Sequence, residues 1–234
     1  MTSQTGLSRA ACSAAVLAGG RSRRMGRCKA LLTLGGETLL ARQVGRLAHF
    51  PEILISANDP ALGAGLPARV VADRCPGAGP LAGLHALLSA AEHPYVLCVP
   101  CDLPNFSAAA AACLLSAFPP GADALVCADG GGRVHPLCGI YAKSALSIIG
   151  EQLAAGRLRM MDLLRRLDCR YLSTAGLLPD SVFFNVNTPE DLRRLPGGAR
   201  PAELTWGGNL PWNNGSFQSC PMPGPTLRPS RPAS

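Results

Sequence analysis

The chain has 234 residues, 47% apolar and 16% charged, a size that fits one α/β domain with a real core or two small ones. No run of about 18 apolar residues occurs, so no transmembrane helix is expected. The formal charge of +7 points to an anionic partner, but aromatics are only 5% and do not interleave with the arginines, so small phosphorylated ligands fit better than nucleic acid.

In chain order, residues 1–10 are polar and are expected to fray. Residues 9–18 resemble a short signal peptide superficially. The run is short, however, and leads straight into glycines, so it reads as a first, buried strand over 11–18. Gly19 and Gly20 follow, then Arg21, Arg23, Arg24, Met25, Gly26, Cys28 and Lys29. Glycines after a strand let backbone N–H groups approach a ligand, and cations beside them suit a polyphosphate. This is neither common phosphate motif. G-x-G-x-x-G fails because the glycines are adjacent, and Walker A fails because five residues separate Gly20 from Gly26 and Arg27 follows. Of 22 basic residues only Lys29 and Lys143 are lysines, which hints that an ammonium is wanted at position 29.

A turn is expected at 34–37 and a helix over 38–48, with Leu39, Leu40, Val44 and Leu47 on one face. Strands follow over 52–57, ending in Asn58, and over 69–72, ending in Asp73. A Gly/Pro loop over 76–80 precedes a helix over 81–91, and a strand over 95–99 leads to Pro100, Cys101 and Asp102. Ser107 caps a helix to Phe118, and a strand over 123–128 precedes a loop and strand over 133–141. Helices are expected over 143–153 and 160–167, and strands over 169–172 and 182–186. Thr188 caps a last helix that has Pro189 at its first position. From Pro196 the composition turns to Pro, Gly, Ser and Asn, which reads as a disordered tail over 196–234.

Strands alternate with helices, and Asn58, Asp73 and Asp102 each follow a strand's carboxyl end, where open parallel sheets bind ligands. Asp102 suits Mg²⁺, with nucleotide phosphates and waters completing the shell. The ten cysteines are scattered through apolar runs, as small hydrophobes are in a reducing cytosol. Cys98-Val-Pro-Cys101 matches C-x-x-C but has no second ligand pair and reads as structural.

The string L-A-G-G-x-S-x-R-M-G-x-x-K-A-L-L, from Leu17 to Leu32, resembles the signature of the molybdenum cofactor guanylyltransferases, the MobA family of nucleotidyltransferases. Further blocks look like that family's, in its order, over roughly 11–195. They are Asn58, Asp73, Gly79-Pro-Leu-Ala-Gly83, Pro100-Cys-Asp102-Leu-Pro104, His135-Pro136 and Phe184-Asn-Val-Asn-Thr-Pro-Glu-Asp191. The resemblance implies an α/β, Rossmann-like three-layer fold with a mostly parallel central sheet in a single domain. It implies an Mg²⁺-dependent enzyme that transfers GMP from GTP to molybdopterin, or its molybdenum form, and releases pyrophosphate. Leu17, Ala18 and Gly19 would contact the nucleotide, with Gly20 beside them, and Lys29 would bind phosphate. Asn58 and Asp73 would contact the guanine nucleotide, and Asp102 would bind metal and nucleotide. Arg24 and Lys29 would neutralise phosphate charge, and Asn185 and Asn187 would lie near the pterin. Arg157 and Arg159 are either holders of the acceptor's phosphate or a solvated basic face.

The resemblance also implies a cytoplasmic protein with transient contacts to molybdenum enzymes or their chaperones. Cys28 departs from the pattern, since the family usually has an acidic residue before the lysine, and so does the tail. A cytidylyltransferase of the same cofactor would read Leu-Ala-Ala-Gly where this chain has Leu-Ala-Gly-Gly. A non-catalytic nucleotide-binding scaffold is the alternative from another class.

Overall fold

The computed structural model describes residues 6–18, 29–73, 75 and 77–195. The strands are β1 (Cys12–Leu17), β2 (Thr33–Leu34), β3 (Glu37–Thr38), β4 (Ile53–Ser56), β5 (Arg69–Val71), β6 (Tyr95–Pro100), β7 (Ala124–Ala128), β8 (Val134–Ala142) and β9 (Cys169–Ser173). The helices are α1 (Leu39–Arg46), α2 (Pro80–Ala90), α3 (Ala108–Ala117), α4 (Leu146–Ala154), α5 (Met160–Leu164) and α6 (Pro189–Arg193).

β1 is buried at all six residues and pairs in parallel with β4 on one side and β6 on the other. A strand covered on both faces needs no polar alternation, which explains its continuous apolar run. The seven-stranded sheet has the order β5-β4-β1-β6-β8-β7-β9. Only β8 runs against its neighbours, pairing antiparallel with β6 and β7, while β9 is parallel to β7. The sheet is therefore mostly parallel, in a single domain.

Helices cover both faces, making three layers. α1 and α3 bring Leu40, Val44, Leu47, Ala110 and Leu114 onto Ala14, Val16, Ile55, Leu97 and Ile140. α2, α4 and α5 bring Leu84, Leu87, Ile149 and Leu163 onto Ala15, Leu17, Leu54, Val96 and Tyr141. Alternate residues of the central strands thus serve opposite layers, as a two-sided core requires.

The Gly79–Gly83 block follows from this packing. Gly79 sits at φ +70° before the helix, and Pro80 occupies the first turn. At Gly83 a Cβ would lie 2.7 Å from Ser56 Oγ and 3.2 Å from Leu17 Cδ2. The missing side chain lets α2 close on the ends of β1 and β4.

Several local expectations are corrected. Residues 182–186 form no strand. Asp180–Phe183 is a 3₁₀ turn, and Val182 and Phe183 are buried in the α1/α3 layer. Val186 makes a single bond to a loop carbonyl, that of Asp102, instead of a ladder. Residues 6–10 do not simply fray: the Leu7 N–H donates to Leu115 O at 2.7 Å and Leu7 packs on the core. The helix expected from 143 begins as a 3₁₀ turn, Lys143–Ala145, and the one expected to 167 ends at Leu164. The turn at 34–37 is a two-residue hairpin between β2 and β3, with Gly35 and Gly36 at φ +62° and +80°. Residues 1–5 and the tail 196–234 lie outside the described residues.

Capping follows the sequence. Thr38, Ser107 and Thr188 each accept from the backbone N–H three residues on, at 3.1 to 3.2 Å. Asp191 returns the favour in α6, accepting from the N–H groups of Asn187 and Thr188 at 2.9 Å.

α1 also carries two polar side chains into the layer beneath it. Gln43, fully buried, donates Nε2 to Leu103 O. Arg46 donates to Pro104 O and, at 2.8 Å, to Phe106 O. Together they hold the loop after β6 by its carbonyls. Arg46→Ala leaves two carbonyls without their donor and is expected to cost about 2–3 kcal/mol, read as a lower urea midpoint.

Candidate functional site

The carboxyl ends of the parallel strands meet a cleft of about 340 Å³. Leu17, Ala18, Lys29 and Pro80, the segment Pro100–Leu103, residues 133–138 and Asn185 line it. The register Leu17↔Pro100, continued by the Cys101 N–H donating to Leu17 O at 3.1 Å, puts the end of β1 beside Asp102.

Asp102 is half-buried. Burial pushes its carboxyl above the usual carboxylate range, while the Lys29 charge and its own backbone N–H pull it down. Its carbonyl accepts from Val186 N at 2.9 Å, so the 184–187 segment is tied to the metal-candidate loop. Lys29 opens a 3₁₀ turn, Lys29–Leu31, and its Nζ donates to Asn187 Oδ1. A small apolar cluster of Leu32, Leu39, Val186 and Leu195 packs these two distant segments together.

Leu17, Ala18, Lys29, Asp102 and Asn185 thus share one cleft, with Asn187 bonded to Lys29. Asn58 and Asp73 do not line it. They pair with each other past the ends of β4 and β5: Asn58 Nδ2 donates to Asp73 Oδ2 at 3.2 Å and Asp73 N to Asn58 Oδ1 at 3.0 Å. Asp73 Oδ1 is buried and has no partner among the described residues. Gly19, Gly20, Arg24 and Cys28 lie outside the described residues. Arg157 and Arg159 are exposed between α4 and α5 and are not among the cleft's lining.

The far wall is the part the sequence reading did not assign. β8 carries an irregularity: Val126 faces Gly139 but Cys127 faces His135, leaving 136–138 outside the ladder. Tyr141, fully buried, donates its hydroxyl to Pro136 O and pins this bulge. At Gly139 a Cβ would lie 2.3 Å from Leu125 O, so only glycine fits where the bulge rejoins β7. His135 Nε2 hydrogen-bonds to Asp129 Oδ2 at 2.9 Å, and its ring stacks on Phe183. That hydrogen bond, with those from the Arg133 and Gly131 N–H groups, holds the Asp129 carboxyl below its ordinary range despite burial. The His135-Pro136 pair was visible in the sequence, but the bulge that turns it into the cleft was not.

A mostly parallel three-layer sheet, with a carboxylate and a lysine converging at its carboxyl edge, has the architecture of a nucleotidyltransferase domain. Residues 14–170 match the model of the MobA-like NTP transferase domain, and the chain belongs to that family. It is 38% identical over 182 residues to a probable molybdenum cofactor guanylyltransferase of Pelotomaculum thermopropionicum, covering 76% of this chain and 88% of the relative. It is 40% identical over 185 residues to the molybdenum cofactor guanylyltransferase of Cereibacter sphaeroides, covering 76% and 92%. Among solved structures, the molybdopterin-guanine dinucleotide biosynthesis protein A of Archaeoglobus fulgidus aligns with a TM-score of 0.68 at 27% identity, over 78% of this chain and 95% of that one.

Among the described residues Cys12, Cys75, Cys98, Cys113, Cys127, Cys138 and Cys169 are free thiols. No helix among the described residues is long and apolar enough to cross a membrane.

Because the Asp102 carboxyl is raised in the fold, its charge opposes folding. That stability is complete below the unfolded pKa and is lost as pH rises through the folded one. Asp102→Asn is therefore expected to leave the melting midpoint at pH 7 unchanged or higher, measured without metal or nucleotide, while any true structural role would lower it.

Proposed function

We infer that the protein transfers GMP from GTP to the terminal phosphate of molybdopterin, or of its molybdenum form, and releases pyrophosphate. The observation that carries this reading is the convergence of Lys29, Asn187 and Asp102 at one end of a cleft that follows the glycine-bearing strand end. The family and its curated relatives supply the reaction class.

Two anions must be brought together for a phosphate oxygen to attack the α-phosphorus in line. Such a reaction asks for positioning and charge neutralisation and not for a covalent nucleophile. Lys29 would neutralise triphosphate charge, anchored from behind by Asn187. Arg24 would add a second cation. The backbone at Leu17, Ala18, Gly19 and Gly20 would approach the nucleotide closely. Asn58 and Asp73, joined as one polar unit, would read the guanosine, and the buried Asp73 Oδ1 is an acceptor with no donor among the described residues. Asn185 would face the acceptor from the cleft wall.

Nucleotidyltransferases generally use a divalent metal, and we assign Mg²⁺ to Asp102. The donor set fits. Among the described residues no group of three His, Cys, Asp or Glu could hold a metal unaided, and Asp102 is the carboxylate that lines the cleft. Mg²⁺ is commonly held by one or two carboxylates, with substrate phosphates and waters completing its octahedron. The half-buried Asp102 carboxyl, raised by burial, also gains from a nearby cation. When bound, the ion would offset charge on the triphosphate and on the departing pyrophosphate. A cytoplasmic location is part of this reading, and the buried free thiols favour a reducing compartment.

The test is pyrophosphate release by the purified protein with Mg²⁺ and molybdopterin, offering GTP, CTP and ATP in parallel. Release with GTP alone is expected. Release mainly with CTP would move the assignment to the cytidylyl transfer, and none with any nucleotide would move it to a scaffold. Asp102→Ala is expected to lower turnover at least about 100-fold, and a chelator to abolish it. Lys29→Ala is expected to weaken GTP binding by about tenfold, read by calorimetry.

A further inference from the structure

The two flanks of the carboxyl edge offer different chemistry. Asn58 and Asp73 lie past β4 and β5, on the side of β1 away from β8. The cleft opens the other way, from Ala18 and Asp102 across to β8. A nucleotide held on the first flank leaves the second to the acceptor, since in-line transfer puts attacking and leaving oxygens on opposite sides of phosphorus.

That second flank contains a prepared imidazole. His135 Nε2 bonds to Asp129 Oδ2 at 2.9 Å, and one ring face lies on Phe183, centroids 4.3 Å apart with planes at 20°. The His135 side chain is only 11% exposed, so neighbours and not solvent set its orientation. Asp129 is fixed in turn, its Oδ1 accepting from the N–H groups of Gly131 at 3.0 Å and Arg133 at 2.9 Å. A carboxylate accepting from Nε2–H fixes the orientation of the ring and leaves Nδ1 for a ligand, to which an imidazole carrying a proton on each nitrogen donates. Among the described residues the hydrogen bond of the His135 ring is the one at Nε2. Arg133, exposed, lines the same wall. Among the described residues lining the cleft, Lys29 is the base on the β1 side, and Arg133 and His135 are those on the β8 side.

We propose that His135 and Arg133 form the binding site for the acceptor's phosphomonoester, with Asp129 as the residue that positions His135. The proposal rests on the GMP-transfer reading and assigns the acceptor half of that site. The imidazole ring donates from Nδ1 to a phosphate oxygen, and the Arg133 guanidinium supplies a second, exposed cation. The Asp129 contact removes the rotational freedom that an unsupported histidine would lose on binding.

The experiment compares wild type, His135→Asn and Asp129→Asn. It measures KM for molybdopterin and for GTP by pyrophosphate release, and the binding of each substrate alone by calorimetry. Melting curves establish that each variant is folded. His135→Asn is expected to raise KM for molybdopterin about 10- to 100-fold, the loss of one charge-assisted hydrogen bond, with GTP affinity within about twofold of wild type. Asp129→Asn can keep its turn bonds through Oδ1 but sets an amide N–H₂ against Nε2. It is expected to move molybdopterin KM in the same direction without moving GTP affinity. Unchanged molybdopterin KM in both variants overturns the proposal, as does a parallel loss of GTP affinity. If wild type releases no pyrophosphate, the transfer reading fails by itself. Calorimetry then decides the site separately: molybdopterin binding lost in His135→Asn upholds it, and equal or absent binding overturns it.

Discussion

The parallel register of β1 against β6 is the constraint on which the site depends. Leu17 faces Pro100, and the next peptide closes the pair through Cys101 N–H and Leu17 O. Parallel strands end on the same edge, so the end of β1 and the carboxylate after β6 lie side by side. A slip of one residue would exchange every side chain between the two helical layers. The buried residues on both faces of β1 and β6 forbid it, because Ala14 and Val16 serve one layer and Ala15 and Leu17 the other.

The loop that carries Asp102 is held from two directions. α1 grips its carbonyls at Leu103, Pro104 and Phe106 through Gln43 and Arg46. Val186 grips the carbonyl of Asp102 itself. These bonds satisfy backbone groups in a place where regular structure ends, and buried loops need such partners. The side chain of Asp102 remains out of those bonds, half-buried and raised by desolvation, which is the condition that favours a cation beside it. Function here is set against stability in one residue.

Much of this was legible in the residues. The Leu17–Leu32 string marked a phosphate-type loop, and strand-end positions marked Asp102. Helix starts at Ser107 and Thr188 followed from capping chemistry. Less legible were features that depend on contacts between distant segments. Val182 and Phe183 read as strand because burial alone gives an apolar run, yet they sit in a 3₁₀ turn against the core. Asn58 and Asp73 read as two separate ligands, yet they bond to each other across the β4–β5 edge. His135 stood in plain view beside Pro136, but the pairing shift at Val126/Cys127 that turns it into the cleft leaves no periodic signal.

Local chemistry and period therefore determined the alternation of strands and helices and the order of most elements, while the resemblance of the Leu17–Leu32 string carried the family. These depend on nearest neighbours along the chain, on apolar spacing and on glycine and proline geometry, all of which are written in sequence order. The tertiary structure decided which residues share a cleft. Lys29 meets Asn187 across 158 positions, and Asp129 meets His135 across a bulged hairpin. Such pairings are selected by the packing of a sheet whose strand order, β5-β4-β1-β6-β8-β7-β9, differs from chain order, so spacing along the chain does not encode them.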